Sequence, residues 1–184
     1  MAFLAVLDAC VLYPASLQDI LLRCAEAEFF DVVWSERILD EVARNLVADA
    51  RATPARARRL VGLMSQTFPE AAADTDEIAR LEPTMGCDPD DNHVAAAAIA
   101  GGADVIVTLN VGDFPPAALA PWGITVVPPD DLLCEFLDAA PDRVVSILRQ
   151  QSAALSRPPI TVEHLVDLLA ATVPRLAAQA RSKL

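Results

Sequence analysis

The chain has 184 residues, enough for one domain with a sizeable core and a small appendage. Hydrophobic residues make up 54% of it, which excludes a disordered chain, and no apolar run approaches the roughly 18 residues of a membrane span. A formal charge of −12 argues against a basic grip on nucleic acid, unless carboxylates hold cations that face the phosphates. Phe3 to Leu7 is too short for a signal-peptide core and lacks a charged leader, so a cytoplasmic chain with no membrane partner is expected. Cys10, Cys24, Cys87 and Cys134 are widely spaced, with no CxxC pair. Four reduced, mostly buried thiols are expected rather than a zinc site or a disulfide frame.

In chain order, Phe3 to Leu7 reads as a continuous apolar strand that ends at Asp8. A carboxylate there is either a turn or cap residue or a group at a catalytic sheet edge. Tyr13-Pro14 marks a loop, and Ser16 is the expected cap of a helix carrying Leu17, Ile20, Leu21 and Cys24. Phe30 to Trp34 reads as a second strand, and Ser35 caps the next helix. That helix lines up Ile38, Leu39, Val42, Ala43, Leu46 and Val47 as a stripe for packing on a sheet. Glu41 lies off the stripe with Asp40, Arg44 and Asn45, facing either a cleft or plain solvent. Arg51, Arg56, Arg58 and Arg59 form the dense basic patch, read either as solvated surface or as phosphate contacts beside a site. A helix follows from about Ala55 to Thr67, and Thr75 or Asp76 is expected to cap a short one through Leu81.

The stretch from Cys87 to Phe114 carries most of the signal. Asp88 is an expected N-cap, Pro89 a first helical residue and Asp91 an acid at the third helical position. Val94, Ala95, Ala98 and Ile99 share a face, and Asp91 precedes the first two by three and four residues. Asp91 therefore points with the packed face, toward the sheet, whereas Asp90 is turned about a quarter circle away. His93 is read as surface or as support behind the site. Gly102 ends the helix, Val105 to Leu109 reads as a buried parallel strand, and a polar loop runs to Asp113 and Phe114. A helix N-terminus and a strand C-terminus share one edge of a parallel sheet, where ligands bind. Ile124 to Val127 makes a further short strand, followed by a helix to about Asp138. Past Pro141 the texture turns helical: Val144 to Leu155, a break at Ser156-Arg157-Pro158-Pro159, Thr161 to Ala171, and a basic end from Arg175. The expected division is a sheet domain over 1–140 and a helical C-terminal extension over 141–184.

Acidic and amide groups from distant parts of the chain, Asp8, Glu41, Asp91 and Asn110 or Asp113, thus have a route to one sheet edge. Gathered carboxylates repel and need a cation or shared protons, and oxygen-only ligands select Mg²⁺ or Mn²⁺ over zinc. Competing chemistries lack their signatures. A receiver domain needs a lysine near its last strand, and Lys183 is the chain's single lysine. A haloacid-dehalogenase-type phosphatase needs an Asp where Cys10 stands, and neither a P-loop nor a dinucleotide fingerprint occurs.

DACVLYPA at Asp8, SERILDEV reaching Glu41, CDPDDNHVAAAA at Asp91 and VTLNVGDF at Asn110 and Asp113 together resemble the four motifs of PIN-domain ribonucleases. The resemblance is strongest to VapC-like toxins of type II toxin–antitoxin pairs and covers about residues 1–140. It implies a three-layer α/β/α fold with a short central parallel sheet of four or five strands. It also implies Mg²⁺- or Mn²⁺-dependent RNA hydrolysis, inhibition by a cognate antitoxin, and a homodimer. By resemblance, Asp8, Glu41 and Asp91 are the acids around the metal. The fourth position falls on Asn110 or Asp113, with Asp113 taken as the ligand, Asn110 and Asp90 as auxiliary groups, and Arg56, Arg58 and Arg59 as RNA contacts. Cys10 departs from the pattern, since many members carry Asn or another polar residue there. The alternatives are a PIN-like scaffold that only binds partners, and a housekeeping RNA-processing nuclease.

Overall fold

Four short strands, all parallel, organise the chain in a computed structural model that describes residues 3–156 and 158–184. They are β1 (Leu4–Leu7), β2 (Asp31–Val33), β3 (Val105–Val107) and β4 (Thr125–Val127), in the spatial order β2-β1-β3-β4. The register pairs Val6 with both Val33 and Ile106, and Ile106 with Val126. Because β1 connects onward to β2 on one side and is paired with β3 on the other, the sheet has its topological switch between β1 and β3. Open parallel sheets place their ligand crevice at the carboxyl ends of such a pair. The α/β class and the strand number agree with expectation, and each strand is shorter than its apolar run.

Contacts divide the chain into two compact units: Met1–Tyr13 with Phe30–Val127, and Pro14–Phe29 with Pro128–Leu184. In the first unit the sheet carries α1 (Ala9–Leu12), and after α2 (Ala15–Glu26) of the other unit come α3 (Glu36–Ala48), α4 (Pro54–Thr67), α5 (Thr75–Leu81), α6 (Asn92–Ala100) and α7 (Pro116–Leu119). Ala5, Val6, Leu7, Ile106 and Val107 are fully buried, each larger side chain contributing about 1.5–3 kcal/mol. Ser35 caps α3 as expected, accepting the Ile38 N–H at 3.2 Å. The cap of α5 is Asp74, which accepts the Glu77 N–H at 2.8 Å, so neither Thr75 nor Asp76 fills that role. The polar residue outside the helix wins because Thr75 and Asp76 already hold helical backbone.

α6 also begins later than expected. Asp88 Oδ1 accepts the Asp90 N–H at 3.0 Å and the Asp88 carbonyl accepts from Asp91 and Asn92, so residues 88–91 form a turn and Asp91 is the N-cap residue. An Asx bond of this kind competes with the helix for the same donors. Val94 through Ala98 are all fully buried, wider than the single predicted face. Gly102, at φ +64°, ends the helix as expected. Gly101 serves close packing instead. A Cβ there would stand 2.4 Å from Val33 Cγ1 and 3.1 Å from the Ala97 carbonyl, so α6 leaves β2 no room for a methyl. β2 is an edge strand, and past its end Trp34 forms a parallel bridge to Ala72, with 2.9 Å bonds from Trp34 N–H to Ala71 and from Ala73 N–H to Trp34.

The second unit is helical: α2 (Ala15–Glu26), α8 (Pro129–Ala139), α9 (Pro141–Ala154), α10 (Val162–Leu169) and α11 (Pro174–Arg181). Ser16 does not cap α2, which starts one residue earlier behind Pro14; its carbonyl instead accepts the Gln151 amide at 2.9 Å. Thr161 caps α10. Asp130 of α8 caps α11 with both oxygens, accepting from Leu176 N–H at 2.8 Å and Arg175 N–H at 3.0 Å. The predicted break before α10 contains Arg157, which lies outside the described residues.

Two glycine substitutions test this packing in opposite directions. Gly101→Ala is expected to cost about 1–3 kcal/mol through the Val33 clash. Gly62→Ala, inside α4 with nothing within 4 Å of the new methyl, is expected to stabilise by about 0.5–1 kcal/mol. Urea unfolding midpoints of the two variants should therefore fall on either side of the parent.

Candidate functional site

Asp8 is only 3% exposed, and its backbone extends the sheet by one bond, N–H to the Val107 carbonyl at 3.1 Å. Since Leu7 pairs with Val107, the next residues, Asp8 and Thr108, emerge side by side at the switch between β1 and β3. Thr108 Oγ1 donates to Asp8 Oδ2 at 2.6 Å, and the Cys10 thiol donates to the same oxygen at 3.1 Å. Each donor has one proton and spends it on Asp8, which leaves the 3.3 Å approach of Cys10 Sγ to Thr108 Oγ1 as a packing contact. Two backbone donors steady the pair, Leu109 N–H to Cys10 Sγ at 3.2 Å and Asn110 N–H to Thr108 Oγ1 at 3.0 Å. Among the described residues Asp8 Oδ1 accepts no hydrogen bond, and no cation pairs with Asp8, Asp91 or Asp113.

Cys10 thus shares with Thr108 the support of Asp8. Burial, followed by the charge of Asp8, pushes its thiol up to about 12, so it stays a protonated donor rather than a nucleophile. All four cysteines are free; Cys24 and Cys134 are buried, whereas Cys10 and Cys87 are only part-buried, fewer buried thiols than the sequence suggests.

The other acids stand around Asp8. Asp91 is half-buried, and desolvation pushes its carboxyl up to about 6, reinforced by the negative charges of Asp8, Asp113, Asp88 and Glu41. Asp90 is exposed. Glu41 is also raised, first by desolvation and then by Asp8, against the lowering pull of Arg44 and Arg37. Asp113 and Asn110 belong to one short turn, Asp113 N–H to the Asn110 carbonyl at 3.0 Å, and the Asp113 carbonyl ties that turn to the 88–91 turn through Asp88 N–H at 2.9 Å. The carboxylate of Asp113 is among the charges felt by Asp91, whereas the Asn110 side chain is exposed. Arg56, Arg58 and Arg59 project from α4, and none of them figures among the charges acting on Glu41, Asp91 or His93. Arg58 lines, with Arg44, Val47, Pro54 and Ala57, a groove of about 430 Å³ between α3 and α4.

Four residues besides the acids shape the site. Thr108 needs the β1–β3 register, which no local pattern reveals. Arg37 and Arg44 bracket Glu41 at one-turn spacing on α3, a signal that the sequence does carry. His93 is 1% exposed rather than on the surface, with Nε2 3.5 Å from Glu41 Oε2 and Nδ1 buried without a partner. Desolvation, followed by Arg37, lowers its pKa.

Among the described residues no three His, Cys, Asp or Glu side chains form a ready cation cage. The donor chemistry nonetheless fits a hard divalent ion: the donors are oxygens, their charges oppose one another, and no countercharge sits among Asp8, Asp91 and Asp113.

An all-parallel sheet with a carboxylate cluster at its switch point matches the PIN-domain family, and the chain belongs to it: the PIN domain model matches residues 5–112. The model of the VapC50 C-terminal domain matches residues 129–182, within the helical second unit. The chain is 41% identical over 91 residues to a curated protein of Mycobacterium tuberculosis (strain ATCC 25618 / H37Rv) named "Putative ribonuclease VapC50". That alignment covers 50% of this chain and 54% of the relative, so the chain spans about half the relative's length. No solved structure matches. No helix among the described residues is long and apolar enough to cross a membrane.

The raised carboxyl of Asp91 makes the metal-free protein sensitive to pH. Its folded value of about 6 lies above the ordinary 3.8, so the folded state binds more protons than the unfolded one in between. The stabilisation is therefore complete below about pH 4 and lost as pH rises through 6. With chelator present, Asp91→Asn is expected to melt about 2–4 °C above the parent at pH 7.5, an offset of about 1 kcal/mol after screening, and level with it at pH 4. Equal melting curves at both pH values would mean that the charges around Asp91 are too weakly coupled to matter.

Proposed function

We propose that the chain is a metal-dependent endoribonuclease of the VapC toxin type, hydrolysing RNA phosphodiester bonds and held in check by a cognate antitoxin. The observation that carries this reading is the group of acids around buried Asp8 at the crevice end of β1 and β3, where among the described residues no cation pairs with Asp8, Asp91 or Asp113. Asp8, Glu41, Asp91 and Asp113 would hold Mg²⁺ or Mn²⁺, with Asn110 and Asp90 as auxiliary polar groups. When bound, the ion lowers the pKa of water and offsets the charge that builds on the phosphate.

The chain's own residues supply the rest. Thr108 and Cys10 fix Asp8 through Oδ2 and leave Oδ1 free to face a ligand. The 88–91 and 110–113 turns, tied by Asp88 N–H, set Asp91 and Asp113 on a common rim. Arg56, Arg58 and Arg59 would meet the RNA backbone further along its path. The activity named for the relative from Mycobacterium tuberculosis supports this class of substrate, and the helical second unit supports kinship with that kind of toxin. A homodimer in the cytoplasm completes the proposal.

Asp8→Asn and Asp91→Asn are expected to fold and to lose at least about 100-fold in Mn²⁺-dependent cleavage of single-stranded RNA, the scale on which positioned charge acts. At about 100-fold excess over its Kd, Mn²⁺ should raise the melting point of the parent by about 5–10 °C and leave Asp8→Asn unmoved. Cleavage at parental rate by both variants would defeat the nuclease reading. Replacing Arg56, Arg58 and Arg59 together by serine should make the salt dependence of RNA binding shallower by about 2 in log–log slope. An unaltered slope would return these arginines to plain surface. Recovery of a small DNA-binding protein with the chain from its native host would support the antitoxin, and recovery of an RNA-processing assembly would point to housekeeping turnover instead.

A further inference from the structure

The imidazole of His93 is 1% exposed on α6, its Nδ1 is buried with no hydrogen-bond partner among the described residues, and its Nε2 stands 3.5 Å from Glu41 Oε2. An orphaned N–H in a dry site costs more than an orphaned lone pair that could never have donated. A proton on Nδ1 would be stranded, so the ring proton belongs on Nε2, where it faces a carboxylate, and Nδ1 keeps the bare lone pair. A core residue chosen only to fill space would carry no polar atom here, since a leucine or phenylalanine fills the same volume without stranding Nδ1. The gap of 3.5 Å is one small rotation from hydrogen-bonding range, and such contacts tighten when the ligand they serve arrives.

We infer that His93 is a positioning residue: from the buried side of α6 it directs its Nε2–H at Glu41 Oε2 and turns the other carboxylate oxygen of Glu41 toward the cation. Glu41 needs such a guide more than Asp8 does. Its chain is one methylene longer and its side chain is 33% exposed. Asp8, by contrast, is locked by Thr108 and Cys10. Arg37 is engaged by Glu82 at 2.5 Å, so it is not free to orient Glu41 in place of His93. Outer groups that orient a ligand carry about 10–100-fold in metal affinity when removed. The inference rests on the metal-site reading of Glu41 given above.

His93→Gln places an amide N–H where Nε2 stood, His93→Asn places one nearer Nδ1, and His93→Leu places none. Calorimetric Mn²⁺ titration of the full chain, with melting in chelator as the check on folding, separates the possibilities. Expected are Mn²⁺ affinity within about 3-fold of the parent for His93→Gln and a loss of about 10–100-fold for His93→Leu and His93→Asn. Glu41→Gln should weaken Mn²⁺ binding in the parent but add little in the His93→Leu background, because the two residues act as a unit. A folded His93→Leu protein that binds Mn²⁺ like the parent overturns the inference. If the leucine variant does not fold, equal affinities of the Gln and Asn variants overturn it instead. A parent that binds no Mn²⁺ fails the metal-site reading and takes this inference with it; normal binding by the parent and by every His93 variant removes the inference alone.

Discussion

A negative charge that water can barely reach holds the first unit's chemistry together. Asp8 is buried at the end of β1, and its charge is felt by Cys10, Glu41, Asp91 and His93 alike. Burying a carboxylate without a cationic partner is costly, and two neutral donors on one oxygen offset only part of that cost. The sheet register makes the arrangement possible, because it sets Thr108 beside Asp8 and nowhere else. The remaining acids then raise one another's proton affinity instead of relieving it. The result is a set of carboxyls whose negative charges oppose one another at the crevice end of β1 and β3.

Much of this is legible in the residues. Asp8 ends an apolar run, Asp91 precedes an alanine-rich helix in phase with its packed face, and both are features that periodicity reports. The parallel sheet follows from strands alternating with helices. Less legible is anything that depends on which strand lies beside which. Thr108 reads as an unremarkable strand end until β3 is placed against β1. His93 sits among buried alanines in a helix packed on all sides, so a one-face pattern puts it outside. Caps are hard to place where two acids or hydroxyls stand in line, as at Asp74 and at Asp88, because the winner depends on the backbone of the preceding residue.

The helical second unit shows the same use of short polar anchors. α11 has proline at its first position and is capped by both oxygens of Asp130, a residue far away in sequence. One carboxylate thus meets two of the donors that a helix start leaves unsatisfied and fixes where α11 begins relative to α8. The adjacent Asp131 pairs with Arg175 on the surface, where an ion pair adds little to stability but favours the same docking. The buried row of Leu165, Val166, Leu169, Leu176, Ala177 and Ala180 supplies the bulk of the packing.

The sheet's flanks carry a last consequence. β2 and β4, the strands with an unpaired side, are three residues each, and the bridge from Trp34 to Ala72 closes off the end of β2. Edges this brief offer a foreign strand almost no ladder to extend, so the valine-rich β3 stays shielded between its neighbours. Short edges of this kind are how a sheet with an apolar centre limits the template it presents to other chains.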